Sequence, residues 1–254
     1  MHISFAAVAA STVAVAMSAN ISFAQPIPYG NFNATHYMFT NVTENSTSPG
    51  HVGQVLFGVP TVTDDSMAFN PLNFSSQSTA GPGGFASDSV DGLLQFGIMA
   101  NAGSFISQFN FNERGDYTLN GLPTALAQAT VGCSLNIRVT QVNGIFITPI
   151  GFNSSLIFSP SGGIYNFPPS ASAAPWTGSG LFDIDAFLFS RNIQGHATKI
   201  EISLDNVLTT FASNGSTARI VKKQAEGVTI DVTPAPGAAA LLGLGGLLAT
   251  RRRR

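Results

Sequence analysis

The chain has 254 residues and a formal net charge of −2, and only 9% of its residues are charged, against about 25% in an average domain. Its 20 phenylalanines and 44% hydrophobic content give it ample apolar surface to bury, which excludes an intrinsically disordered chain. Setting aside the four terminal arginines leaves 7 basic residues against 13 acidic ones, with no basic cluster beyond Lys222-Lys223, so no nucleic-acid partner is expected.

Residues 1–24 read as a signal peptide. An apolar stretch over residues 3–17 is followed by Ser22-Phe23-Ala24, a small-x-small pattern that places cleavage between Ala24 and Gln25. Strands are then expected at "HYMFTNVT", "QVLFGV", "LLQFGIMA" and "FISQFNF", rich in aromatic and β-branched residues. Residues 75–89 ("SSQSTAGPGGFASDS") are Gly-, Pro- and Ser-rich and are expected to form a long surface loop.

The lone cysteine, Cys133, cannot form an internal bridge and is expected to be a small buried hydrophobe. Beyond it, Leu135, Ile137 and Val139 alternate with Asn136, Arg138 and Thr140, and Asn143-Gly144 supplies a tight hairpin turn. "SLIFS" and "LFDIDAFLF" continue the strand pattern, with 166–180 as a second loop. On the second strand Asp183 and Asp185 would share one face, roughly 6.5 Å apart. A glycosidase-like pair is conceivable there, but an amphipathic strand with a wet face is the simpler account.

In "TKIEISL", Ile200, Ile202 and Leu204 face inward, and Asp205-Asn206 reads as a bulge or break that shifts the phase. Asn214-Gly215 turns the chain into "STARIVKKQ". The expected fold is all-β: an antiparallel β-sandwich of jelly-roll type over residues 25–233, between the signal peptide and a C-terminal apolar helix at 234–254.

No catalytic constellation emerges, so no enzyme is expected. His36, His51 and His196 lack metal-ligand spacing, and "GFASDSVDG" has no nucleophile-elbow pattern. Asp64, Asp65, Asp88, Asp91 and Asp116 lie in or beside loops, where calcium ligands often sit. Capping of turns is the simpler role, and no metal or cofactor is expected.

The tail has three parts: Pro234-Ala235-Pro236, an apolar run over 237–250, and Arg251, Arg252, Arg253 and Arg254. As a helix the run would span about 21 Å at 1.5 Å per residue, short of the roughly 30 Å of a hydrocarbon core. The arginines favour the cytoplasmic side and the prolines an extended, accessible backbone. This arrangement resembles the PEP-CTERM sorting signal of Gram-negative and related bacteria, with Ala235 where that family usually has Glu. Stretches of the body, among them "LFGVPTVTDDSMAFNP" and "SLDNVLTTFASNGSTARIVKK", are similar to uncharacterised members of the same group. The resemblance implies a transient partnership with an exosortase-type membrane protease, brief retention in the inner membrane, and release to the cell surface or exterior. A structural or interaction protein of the cell surface or extracellular matrix is therefore expected. The alternative is a carbohydrate-binding β-sandwich, with an extracellular polysaccharide as partner and Trp176 or Tyr165 stacking on sugars.

Overall fold

Apolar–polar alternation runs further along this chain than a reading in short strands anticipates. A computed structural model describes residues 25–122, 124–167 and 174–235. In chain order these form β1 (Ile27–Asn33), β2 (Tyr37–Asn45), β3 (Thr61–Thr63), β4 (Ser66–Phe69), β5 (Ser75–Thr79), β6 (Phe85–Ala100), β7 (Phe105–Asn120) and β8 (Ala127–Val142). There follow β9 (Ile145–Ser155), β10 (Ile157–Ser159), β11 (Ile164–Phe167), β12 (Ala174–Asp183), helix α1 (Ile184–Ser190), β13 (Ala197–Ser213), β14 (Thr217–Lys222) and β15 (Val228–Ala235).

All strand pairs are antiparallel and build two layers. The first runs β1-β2-β6-β13-β8-β9, with β11 continuing the β9 edge along β8. The second runs β3-β4-β15-β7-β12-β10, with β14 following β15 along the same edge of β7 and carrying β5. The layers touch in register at Ala197 and Ile106. Between them lies one apolar core, with Ile200, Ile202, Leu204 and Leu208 of β13 on one side and Ile106, Phe109 and Phe111 of β7 on the other. This is a closed antiparallel sandwich, held by packing and pairing, since Cys133 is buried and free.

Several expectations need correction. Residues 75–89 are mostly strand, because Ser76 and Ser78 point inward and bond the Thr210 hydroxyl at 2.9 and 2.7 Å. "QVLFGV" is a loop: the backbone N–H groups of Leu56, Phe57 and Gly58 donate to the buried Glu44 carboxylate at 2.8, 2.8 and 3.2 Å, taking the place of a strand partner. Asp205-Asn206 is no break, since the register of β13 with β6 and β8 runs through it and Asn206 faces the core.

The C-terminal expectation fails at its first residues. Pro234 and Ala235 belong to β15, paired with Ile106 and Phe105, and a register shift after Thr233 accommodates a residue without an N–H. They extend the sheet, and no longer form an accessible extended linker beyond a domain ending at 233. Among the described residues the one α-helix is α1, of 7 residues, and no helix is long and apolar enough to cross a membrane. The fold class is corrected accordingly to a sandwich with no terminal apolar helix among the described residues. The PEP-CTERM assignment, the exosortase partner, membrane retention and the surface-sorting function built on them are withdrawn. The signal-peptide reading with Ala24, and the remainder of the tail with Pro236, Arg251, Arg252, Arg253 and Arg254, fall outside the described residues, which begin at Gln25.

Candidate functional site

The aspartates singled out in the sequence are dispersed and locally engaged. Asp183 is the last residue of β12 and caps α1, its carboxylate accepting from the Ala186 N–H at 2.7 Å, so the strand ends there and does not run on through Asp185. Asp185, inside α1, lies 3.0 Å from Nδ1 of His196, so the two acids serve different partners and form no carboxylate pair. Asp65 accepts from the backbone N–H of His36 at 2.7 Å and meets its ring at 2.6 Å. Asp88 accepts from the Gln77 N–H at 2.9 Å, and Asp116 pairs with Lys223. Among the described residues no group of three or more His, Cys, Asp or Glu side chains is placed to hold a metal.

Asp91 clips the segment after β2 onto β6, accepting from the hydroxyls of Ser48 and of Thr47, the latter at 2.9 Å. Burial pushes its carboxyl up, but the hydrogen bonds from Ser48 and Thr47 outweigh that and hold it below its ordinary value. A carboxyl depressed in the folded state contributes stability that is present above its unfolded value and lost as pH falls through the folded one. Asp91→Asn is therefore expected to lower the thermal midpoint at neutral pH and to shrink its fall toward about pH 3. An acid loss as steep as that of the wild type would contradict this.

The aromatics expected to meet sugars are inside. Trp176 is 1% exposed and Tyr165 3%, the latter stacked on Tyr117 with ring centroids 4.0 Å apart. Neither can act as a surface platform.

The outer face of the first layer instead carries a groove of about 600 Å³ across β2, β6, β13 and β8. Strand register lays its side chains in two cross-strand rows. One contains Thr40, Gly97, Glu201 and Arg138, and the other Thr43, Gln95, Ser203 and Asn136. At the usual strand spacing of roughly 4.8 Å, four strands make a row about 14 Å long. A β-bulge between Thr40 and Thr43 puts Asn41 in the left-handed region at φ 52° and re-aims it at the rim. Gly97 makes room for the Thr40 side chain, since a Cβ there would run into the Thr40 hydroxyl. That hydroxyl is buried and makes no hydrogen bond. Lys199 lies 4.0 Å from Glu201, while Arg138 makes no ion pair among the described residues. The groove thus presents amide, hydroxyl, carboxylate and guanidinium groups side by side. Strict alternation outside the core produces these rows, but pairing register, which the sequence does not display, brings them together.

A second constellation lies in the core and escaped the sequence reading. Glu113 of β7, Lys222 of β14 and Asn206 of β13 are 2%, 1% and 0% exposed. Lys222 Nζ lies 2.7 Å from Glu113 Oε2, and the Asn206 amide donates to Glu113 Oε1. The Lys222–Glu113 separation is that of a close ion pair, yet neither atom reaches hydrogen-bond alignment; Asn206 Oδ1 and Trp176 Nε1 are also without partners. The ammonium faces the rings of Phe74 and Trp176 at 5.2 and 5.4 Å. Small residues make the room: a Cβ at Gly92 would overlap Phe74, and one at Gly115 would overlap Trp176. Cys133, opposite Asn206 on β8, has its thiol pushed up by burial and by the charge of Glu113, so it remains protonated. The signal was present in the alternation: Asn206 follows Leu204, Lys222 follows Ile220 and Glu113 follows Phe111, each two residues on and facing the core.

No protein-family model matches the chain. No curated protein matches it. Among solved structures, the enzymatically active domain of tailspike protein 4 of bacteriophage CBA120 matches 76% of this chain and 19% of that chain, at 11% identity and a TM-score of 0.23. The match spans less than a fifth of the tailspike chain, and a likeness at that score says nothing of activity.

Proposed function

We propose that the protein is a carbohydrate-binding β-sandwich whose saccharide site is the groove on the outer face of the first layer. The observation that supports this is the double row of Gln95, Asn136, Arg138, Glu201 and Ser203 lining the groove, with the unbonded Thr40 hydroxyl seated over Gly97 in its floor. Sugars present closely spaced hydroxyls that both donate and accept. Amides, a carboxylate and a guanidinium side by side on rigid strands satisfy such a ligand with little ordering cost. The length of the rows suits a chain of sugars better than a single ring. As a binding module it holds the ligand without turning it over.

Affinity electrophoresis of the full chain through gels containing neutral or uronate-bearing polysaccharides tests this. Retardation by at least one polymer is expected. Arg138→Ala should weaken it about tenfold, equivalent to about 1.4 kcal/mol, with the thermal midpoint unchanged. Phe85→Ser, at a side chain that is 76% exposed outside the groove, should leave it as it is. Mobility unaffected by every polymer, or retardation that Arg138→Ala does not reduce, would defeat the proposal.

A further inference from the structure

The core triad is assembled for a chemical step that the groove does not require. We propose that Lys222 and Asn206 become joined by an intramolecular amide bond between Nζ and Cγ, with Glu113 as the proton carrier and ammonia as the leaving group.

The two reactants hold the two oxygens of one carboxyl group, Lys222 on Oε2 at 2.7 Å and Asn206 on Oε1. Their strands lie on opposite sides of the core, so the carboxyl of Glu113 bridges a nucleophile and an electrophile that the fold itself brings together. Aromatic rings of Phe74 and Trp176 wall the amine, and all three polar side chains are sealed from solvent. Two charges kept out of water are costly. Passing one proton from Nζ to Oε2 removes both and leaves a free amine lone pair beside the amide.

A half turn of the Asn206 amide brings Oδ1, which has no partner in the structure, onto the protonated Glu113. Nζ then attacks Cγ, and a C–N bond forms as Glu113 gives its proton to Oδ1 and takes one from Nζ. On collapse, Glu113 gives its proton to Nδ2 and recovers one from Oδ1; the Cγ–Nδ2 bond breaks and ammonia departs. An amine and an amide become a secondary amide and ammonia, Glu113 ends protonated, and no electron is gained or lost. No oxidant or cofactor enters. Fixed placement supplies what such a sluggish reaction lacks in water, and the dry core protects the product from hydrolysis.

The test is the mass of the folded full chain after denaturation and chymotryptic digestion, since Phe211 provides a cleavage point between the two residues. The fragments carrying Asn206 and Lys222 are expected to stay together as one species, lighter than their sum by one ammonia, with fragmentation locating the link. Lys223→Ala, at the exposed neighbour, should keep the linked species, whereas Glu113→Gln should give two separate peptides of full mass. Separate peptides from the wild type overturn the proposal, whatever the variants do. Persistent linkage in Glu113→Gln overturns the role given to Glu113. Saccharide binding is read at a different face, so the failure of either idea leaves the other standing.

Discussion

Glu44→Ala is expected to destabilise the fold by about 3 kcal/mol, because hydrogen bonds to a buried charged group are worth roughly 1.5–3 kcal/mol each and losing one partner strands the others. The Glu44 carboxylate is 1% exposed and accepts from the N–H groups of Leu56, Phe57 and Gly58. These three donors have no strand to pair with, yet Leu56 and Phe57 must sit in the core, where Phe57 packs edge-on against Phe69 and Phe74 at 6.1 and 5.1 Å. Alanine leaves three N–H groups unsatisfied and frees the loop that delivers two large side chains. Denaturant unfolding measures the loss, and hydrogen exchange should show protection at 56–58 lost first. A change below about 1 kcal/mol would mean that the loop is held by packing alone.

Trp176→Ala should cost about 4 kcal/mol, near the middle of the usual range for removing a large buried aromatic. For a domain of this size that lowers the thermal midpoint by roughly 8–16 °C. The indole lies across Gly115, which has no side chain to refill the space, and meets Phe158 edge-on at 6.0 Å. It also covers Nζ of Lys222 at 5.4 Å, so alanine opens a cavity beside the buried polar cluster. Trp176→Phe should recover part of the loss. A stable Trp176→Ala protein with impaired saccharide binding would restore Trp176 as a surface platform and contradict the placement described above.

These two residues show what was legible in the sequence and what was not. The alternation in "SLNIRVTQV" and "TKIEISL" marks amphipathic strands, and the structure places Leu135, Ile137, Val139, Ile200 and Ile202 in the core. Where an inward position is polar, the same rule misleads. Asn206 looks like an interruption because periodicity treats a polar residue as outward, and only Glu113 on a distant strand supplies the partner that makes its burial tolerable. Ser76 and Ser78 mislead likewise, since their burial depends on Thr210, more than a hundred residues away in sequence. The Pro-, Ser- and Gly-rich neighbours of Trp176 read as a loop, but pairing of β12 with β7 draws it inward opposite Gly115. Pro234 reads as extended, accessible backbone, and the register shift in β15 takes it into the sheet. In each case the missing information is a long-range partner. The groove has the same character: its residues are ordinary outward polar positions until register aligns them into rows.

The most direct test of the central claim is to map, by hydrogen exchange on the full chain, where a retained polysaccharide sits. Binding at the groove predicts added protection at 40–43, 95–97, 136–138 and 199–203, with the opposite layer unchanged. Protection confined to the β7–β12 layer, or none at saturating polysaccharide, would contradict a saccharide site on the first layer.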